Sequence, residues 1–124
     1  MRRVVMLAGV CLWGLMSGKA IDGRELLTAQ ISPRIASAPG FVIVRAFVDA
    51  SDDNRGLEVV AQSNDFVRSS TIELNGGAAP RLNVFEFPNL PAGEYEVRAA
   101  LLGTNGVRAV TARTVLIVAG LRRR

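Results

Sequence analysis

The stretch that decides the fold is Phe41-Val42-Ile43-Val44-Arg45-Ala46-Phe47-Val48. It is rich in β-branched and aromatic residues, which favour strands, and side chains along a strand point alternately to opposite faces. The even-numbered residues then form a wholly apolar face, while the odd-numbered residues form a second face that is apolar except for Arg45. The stretch therefore predicts a strand with at least one face in the core.

The second face of this strand has two interpretations. Neighbouring loops could cover it, which would make the strand a central one, buried on both sides. Alternatively, Ile43 and Phe47 form an exposed patch that contacts a partner.

Similar short runs lie on both sides of this strand, separated by turn signals about every 8–12 residues, a spacing typical of β-sandwiches. The turn Thr104-Asn105-Gly106 is the strongest hairpin signal among them. No long helical period competes with the alternation. Together with Phe41–Val48 the predicted strands number seven, the others being Ile31–Ala36, Leu57–Gln62, Phe66–Leu74, Leu82–Phe87, Glu94–Leu102 and Arg108–Val118.

A corner precedes the sixth predicted strand, in the sequence Asn89-Leu90-Pro91-Ala92-Gly93-Glu94-Tyr95-Glu96-Val97. We expect Leu90 to close the end of the core, Pro91 and Gly93 to turn the chain, and the Tyr95 hydroxyl to bond back to the corner's backbone. The segment resembles the corresponding corner of immunoglobulin-like, fibronectin type III-like and carboxypeptidase-regulatory-like domains of exported bacterial proteins. That resemblance implies an all-β fold, a single seven-stranded antiparallel immunoglobulin-like sandwich.

The first twenty residues have the pattern of an export signal. Arg2 and Arg3 are followed by the apolar run 4–16 and by a small-residue end that closes at Ala20. The run is shorter than the roughly 20 residues that cross a bilayer, which disfavours a transmembrane anchor, and lipid attachment at Cys11 is a weak alternative. We expect cleavage after Ala20 and a periplasmic or extracellular protein. The predicted layout is a signal peptide at 1–20, a lead-in segment at 21–30, the β-sandwich at 31–119 and a basic tail at 120–124.

Composition argues against most catalytic chemistry. The chain has no His, and its one Cys and one Lys are Cys11 and Lys19, which lie in the predicted signal peptide. A Ser-His-Asp triad, a Cys-His pair, a Schiff base and a His-rich zinc site are therefore excluded from the mature chain. Glu94 and Glu96 are predicted to be solvated charges on an outer strand face. We expect no enzyme activity and no cofactor.

Charge disfavours a nucleic-acid partner. The chain has 15 basic and 11 acidic residues, but Arg2, Arg3 and Lys19 leave with the signal peptide, so that 12 basic residues remain. Phosphate binding needs a folded basic surface rather than a tail. The terminal residues Arg122–Arg124 are expected to make at most weak contact with a membrane surface.

The turn Asp49 to Gly56 is the one cluster of hard oxygen ligands in the sequence. Such oxygens suit calcium, but Asp, Asn and Ser are also ordinary turn formers, and we predict no metal site here. Asp52, Asp53 and Arg55 of this turn are candidate interaction residues.

Two functions remain compatible with the sequence. The first is a non-enzymatic exported module that binds another envelope or extracellular protein. The second is a small structural subunit that self-assembles by pairing edge strands, so a homo-oligomer is possible. The predicted interaction residues are Ile43, Phe47, Asp52, Asp53 and Arg55.

Overall fold

The structure, a computed structural model, describes residues 26–120. The predicted signal peptide with Cys11, residues 21–25 of the lead-in segment and residues 121–124 of the basic tail lie outside the described residues. Within residues 26–120, no helix is long and apolar enough to cross a membrane.

Residues 26–120 form an all-β sandwich of two sheets, as the sequence predicted. The first sheet has three strands in the order β1-β3-β6, and the second has five in the order β2-β8-β7-β4-β5. The strands are β1 (Leu27–Ser32), β2 (Ile35–Ser37), β3 (Gly40–Val48), β4 (Gly56–Gln62), β5 (Val67–Glu73), β6 (Leu82–Leu90), β7 (Gly93–Gly103) and β8 (Gly106–Val118).

The core lies between the inner faces of the two sheets. The even-numbered residues of β3 from Val42 to Val48 are all buried there, which confirms the alternation predicted from the sequence. Phe85 and Phe87 enter the core from β6, and Leu57 enters it from β4. Along β3 and β6, these buried residues alternate with exposed or half-buried residues that point outward, as expected for packed antiparallel sheets.

The first predicted strand is wrong in two respects. Strand β1 begins at Leu27, inside the predicted lead-in segment, because Leu27, Ala29 and Ile31 alternate with polar residues and enter the core. The chain then crosses at Pro33 to the other sheet, where β2 pairs with β8 in parallel. The described residues therefore contain eight strands and one mixed sheet, not seven antiparallel strands.

On one side of the sandwich, an edge strand of the first sheet lies next to an edge strand of the second sheet. Strand β6 ends the three-stranded sheet, and β5 ends the five-stranded one. The guanidinium of Arg68 on β5 donates a hydrogen bond of 2.6 Å from Nη1 to the carbonyl oxygen of Pro88 on β6. This contact places the two edges next to each other.

Candidate interaction surface

The outer face of the three-stranded sheet exposes several large apolar side chains. Strands β3 and β6 pair with Phe47 opposite Leu82 and with Arg45 opposite Val84. Relative exposure is 47% for Phe41, 38% for Phe47, 46% for Leu82 and 52% for Val84. We call the residues Phe41, Ile43, Phe47, Leu82 and Val84 the β3–β6 face.

No element within residues 26–120 covers the β3–β6 face. Ile43 is half-buried between its strand neighbours and Phe47 is exposed, so the described residues favour the exposed patch over the strand buried on both sides. Arg45 lies half-buried within the face, and the exposed Glu86 borders it. The face is thus apolar with one charge of each sign, a composition compatible with a protein contact.

Leu82 and Val84 were absent from the sequence prediction of this face. The sequence prediction named Ile43 and Phe47 only. On β6, the buried Phe85 and Phe87 mark the inner side of the strand. The same alternation places Leu82 and Val84 on the opposite side, next to β3. The signal was therefore present, but the pairing of β6 with β3 was needed to join the two strands into one surface.

The carboxylate of Asp53, in the acidic turn, is bound by neighbouring residues rather than free. Its Oδ1 accepts hydrogen bonds from the Thr104 backbone nitrogen at 3.0 Å and from Thr104 Oγ1 at 2.6 Å. Arg108 Nε lies 3.5 Å from Asp53 Oδ2. These contacts connect the turn after β3 to the β7–β8 hairpin, 51 residues further along the chain.

Asn54 is buried beside Asp53, with a relative exposure of 1%. Its Nδ2 donates to the carbonyl oxygen of Asp49 at 3.0 Å, and its Oδ1 accepts a hydrogen bond from Arg108 Nη1. Arg55 Nη1 donates to the carbonyl oxygen of Asp52 at 2.7 Å. Side chains and backbone therefore stabilise this turn internally.

These contacts separate the predicted interaction residues into two features. Ile43 and Phe47 lie on the β3–β6 face, whereas Asp53 and Arg55 bind within the turn and to the neighbouring hairpin. Asp52 is exposed on the same turn. Residues 26–120 contain no group of three or more His, Cys, Asp or Glu placed to hold a metal ion together.

Asp53 gives a pH dependence that can be measured. The hydrogen bond from the Thr104 hydroxyl, then that from its backbone, holds the pKa of the Asp53 carboxyl below its ordinary value of 3.8. The unfolded chain therefore binds the proton more readily than the folded protein does. Ionised Asp53 stabilises the fold above pH 3.8, and this stabilisation is lost as the pH falls through the lowered pKa. We expect Asp53→Asn to flatten the fall in melting temperature between about pH 5 and pH 2.

The matched variant for this test is Thr104→Val, which removes the hydroxyl donor and leaves the backbone donor. It is expected to flatten the same part of the curve, but less than Asp53→Asn does. An unchanged acid slope in Asp53→Asn would show that Asp53 is not the group responsible.

The corner before β7 contains the contact expected from the sequence. Tyr95 is buried, and its hydroxyl donates a hydrogen bond of 2.7 Å to the carbonyl oxygen of Pro91. Its ring meets Phe66 edge to face, with 6.4 Å between centroids. Burial raises the pKa of the Tyr95 hydroxyl, so the group remains a donor at neutral pH. Leu90 is also buried, and Asn89 takes a φ of 60° where the chain turns.

Beside the corner, an open depression is lined in part by Glu94 and Glu96, which the sequence predicts to be solvated charges. Asp65 also contributes to its lining. Both Glu96 carboxylate oxygens accept hydrogen bonds from Arg98 Nη2, at 3.0 and 3.1 Å. Glu96 therefore forms a surface ion pair with its neighbour on the strand, in the manner of solvated charges on a sheet face.

The fold and the exposed face define a small two-sheet β-sandwich with an apolar outer surface. No family model and no curated protein sequence matches the chain. Among solved structures, it is similar to a superoxide reductase (neelaredoxin) from Ignicoccus hospitalis, with a TM-score of 0.56, 12% identity, 74% of this chain covered and 80% of the other. It is similar in the same way to the human F-spondin reeler domain, with a TM-score of 0.56, 9% identity and coverage of 79% and 93%.

A third similar structure is a family 76 glycoside hydrolase from a bovine Bacteroides thetaiotaomicron strain. The TM-score is 0.52 and the identity 16%, over 73% of this chain and 20% of that one. Similarities this distant concern the fold alone, because one sandwich architecture serves many unrelated functions.

Proposed function

We propose that this protein is a non-enzymatic, exported module that binds another protein of the cell envelope or extracellular space through its β3–β6 face. The observation that carries the proposal is the grouping of Phe41, Phe47, Leu82 and Val84, each between 38% and 52% exposed, on one side of one sheet. Exposed apolar side chains that are grouped on one face, rather than scattered singly, are typical of sites that contact another protein.

Physical chemistry favours a protein as the ligand of this face. Buried aromatic side chains contribute much of the binding energy at protein interfaces, and charged groups are depleted at their centres. Phe41 and Phe47 supply the aromatic side chains, and Arg45 and Glu86 supply one charge of each sign. An edge-to-edge strand contact alone would not need these outward rings.

Sequence features support the remaining parts of the proposal. The signal-like first twenty residues support export, and the absence of His throughout the chain supports a non-enzymatic role. The corner at Leu90, Pro91, Gly93 and Tyr95 supports an immunoglobulin-like or fibronectin type III-like assignment within the broader class of β-sandwiches.

The experiment is site-specific photo-crosslinking in intact source cells, with benzoylphenylalanine in place of Phe47. The control carries the same group in place of Val67, which lies on the other sheet and is 36% exposed against 38% for Phe47. We expect one envelope protein to be captured from position 47 and not from position 67. Equal capture from the two positions, or none from position 47, would contradict the proposal.

The affinity for the captured protein then shows how much single side chains of the β3–β6 face contribute to binding. Phe47→Ser is expected to weaken binding about tenfold or more, since truncating a central aromatic residue costs about 2 kcal/mol at an interface. Val67→Ser, the matched substitution on the other sheet, is expected to leave the affinity unchanged.

A further inference from the structure

The backbone of β6 has one side paired and one side open. Val48 donates to the carbonyl oxygen of Arg81 at 2.8 Å, so Arg81 faces β3. In an antiparallel ladder, successive residues face the partner strand and the opposite direction in turn. The odd-numbered residues from Asn83 to Phe87 therefore bond to β3, and the backbone groups of Leu82, Val84 and Glu86 point away from it.

The open side of β6 has a defined length. Within residues 26–120, β6 pairs with β3 alone. Pro88 has no N–H, and its carbonyl oxygen already accepts the hydrogen bond from Arg68. The free edge of β6 is therefore Leu82 to Glu86, with three outward N–H groups and three outward carbonyl oxygens.

Strand β5 also has an open side, but its chemistry differs. Leu74 donates to the Arg55 carbonyl oxygen at 3.0 Å, which directs the backbone of β5's odd-numbered residues outward. The side chains at those positions are mostly polar, including Ser69, Thr71 and Glu73. Long edges with apolar side chains are the ones prone to pair with another chain. The free edge of β6, with Leu82 and Val84, is the more apolar of the two.

We propose that a second copy of this chain adds to the free edge of β6 by antiparallel β6–β6 pairing about a two-fold axis at Val84. In this register Val84 lies opposite Val84 of the second copy, and Leu82 lies opposite Glu86 of the second copy. All three outward N–H groups of each copy then meet a carbonyl oxygen, which gives six hydrogen bonds, in the way that strand addition operates in general. A shift toward the C-terminal end would bring in Pro88, which cannot donate.

Charge and symmetry support the same register. Glu86 meets an apolar residue of the second copy rather than a second carboxylate, so no like charges are opposed. The interface is isologous, because the same strand of each copy forms it. The dimer places two β3–β6 faces side by side on a six-stranded sheet. The pairing depends on the β6 backbone and stands or falls separately from the binding of another protein proposed above.

The test is sedimentation equilibrium of the purified protein over a range of concentrations, with two matched proline variants. Val84→Pro removes an outward N–H and no bond within the chain, as does Thr71→Pro on β5. We expect the wild type and Thr71→Pro to reach twice the monomer mass, and Val84→Pro to remain monomeric. Monomers for the wild type at every concentration, or dissociation by Thr71→Pro instead, would overturn the proposal.

A second measurement needs no proline. In a Cys11→Ser background, Val84→Cys is expected to form a disulfide-linked dimer, because Cα atoms of directly paired residues lie about 5.5 Å apart, within disulfide range. Thr71→Cys is expected to stay monomeric under the same oxidation. A dimer linked through position 71 and not through position 84 would likewise overturn the proposal. If Val84→Cys formed the dimer but no protein were captured from position 47, the proposed function would be rejected and the dimer would stand.

Discussion

Replacing Tyr95 by Ala is expected to destabilise the fold by about 3–5 kcal/mol, the usual cost of deleting a large buried aromatic side chain. The ring is 1% exposed and contacts Phe66 edge to face, so its removal leaves a cavity at the end of the core. The hydroxyl also satisfies the Pro91 carbonyl oxygen, which loses its donor in the variant.

Tyr95→Phe separates the two contributions, since it keeps the ring and removes the hydroxyl. Its expected cost is about 1 kcal/mol, a typical net value for one hydrogen bond. Urea unfolding of the three proteins gives the comparison. If Tyr95→Phe cost as much as Tyr95→Ala, the corner would depend on the hydroxyl rather than on the packing of the ring.

Asn54→Ala is expected to give the second large effect, a loss of about 1–3 kcal/mol. The substitution removes the donor to the Asp49 carbonyl oxygen and the acceptor for Arg108 in one step. The Asn54 side chain is 1% exposed and both hydrogen bonds are partly buried, so an unsatisfied polar atom left there is costly. The remaining contacts between the acidic turn and the β7–β8 hairpin are then those of Asp53 with Thr104 and Arg108 and the backbone hydrogen bond from Arg55 to the Leu102 carbonyl oxygen.

Two variants of the same turn act as controls for Asn54→Ala. Asn54→Asp keeps an acceptor beside Arg108 and loses the amide donor, so it should cost less than Asn54→Ala at neutral pH. Asp52→Ala changes an exposed side chain and should stay within about 0.5 kcal/mol of the wild type. Urea unfolding that ranks Asp52→Ala with Asn54→Ala would show that the turn's composition, and not its buried amide, stabilises the region.

Local patterns in the sequence were sufficient to predict the central strands and the corner at Tyr95. The apolar alternation of Phe41–Val48 identifies the inner face of β3, since burial on one side leaves a period of two in the sequence. The spacing from Pro91 to Tyr95 predicts a hydrogen bond that is local in the chain. Both features depend on neighbours a few residues away, which a single sequence contains.

Features that depend on distant neighbours could not be predicted in this way. The sequence of residues 31–36 predicts one continuous strand. In the structure, its first half pairs with β3 in one sheet and its second half pairs with β8 in the other. Likewise, the acidic turn has the composition of a metal loop or a simple turn, and only its proximity to Thr104 shows what Asp53 binds. The outer patch required the pairing of Phe47 with Leu82 across 35 residues of chain.

The parallel pairing of β2 with β8 has a mechanical consequence. These strands lie close to opposite ends of the described chain and run in the same direction, so tension between the two ends would pull β2 and β8 lengthwise past each other. The hydrogen bonds from Leu116 to the Arg34 carbonyl and from Ala38 to the Val118 carbonyl would then share the load rather than open in succession. At this short strand, force along the chain would therefore be resisted in shear.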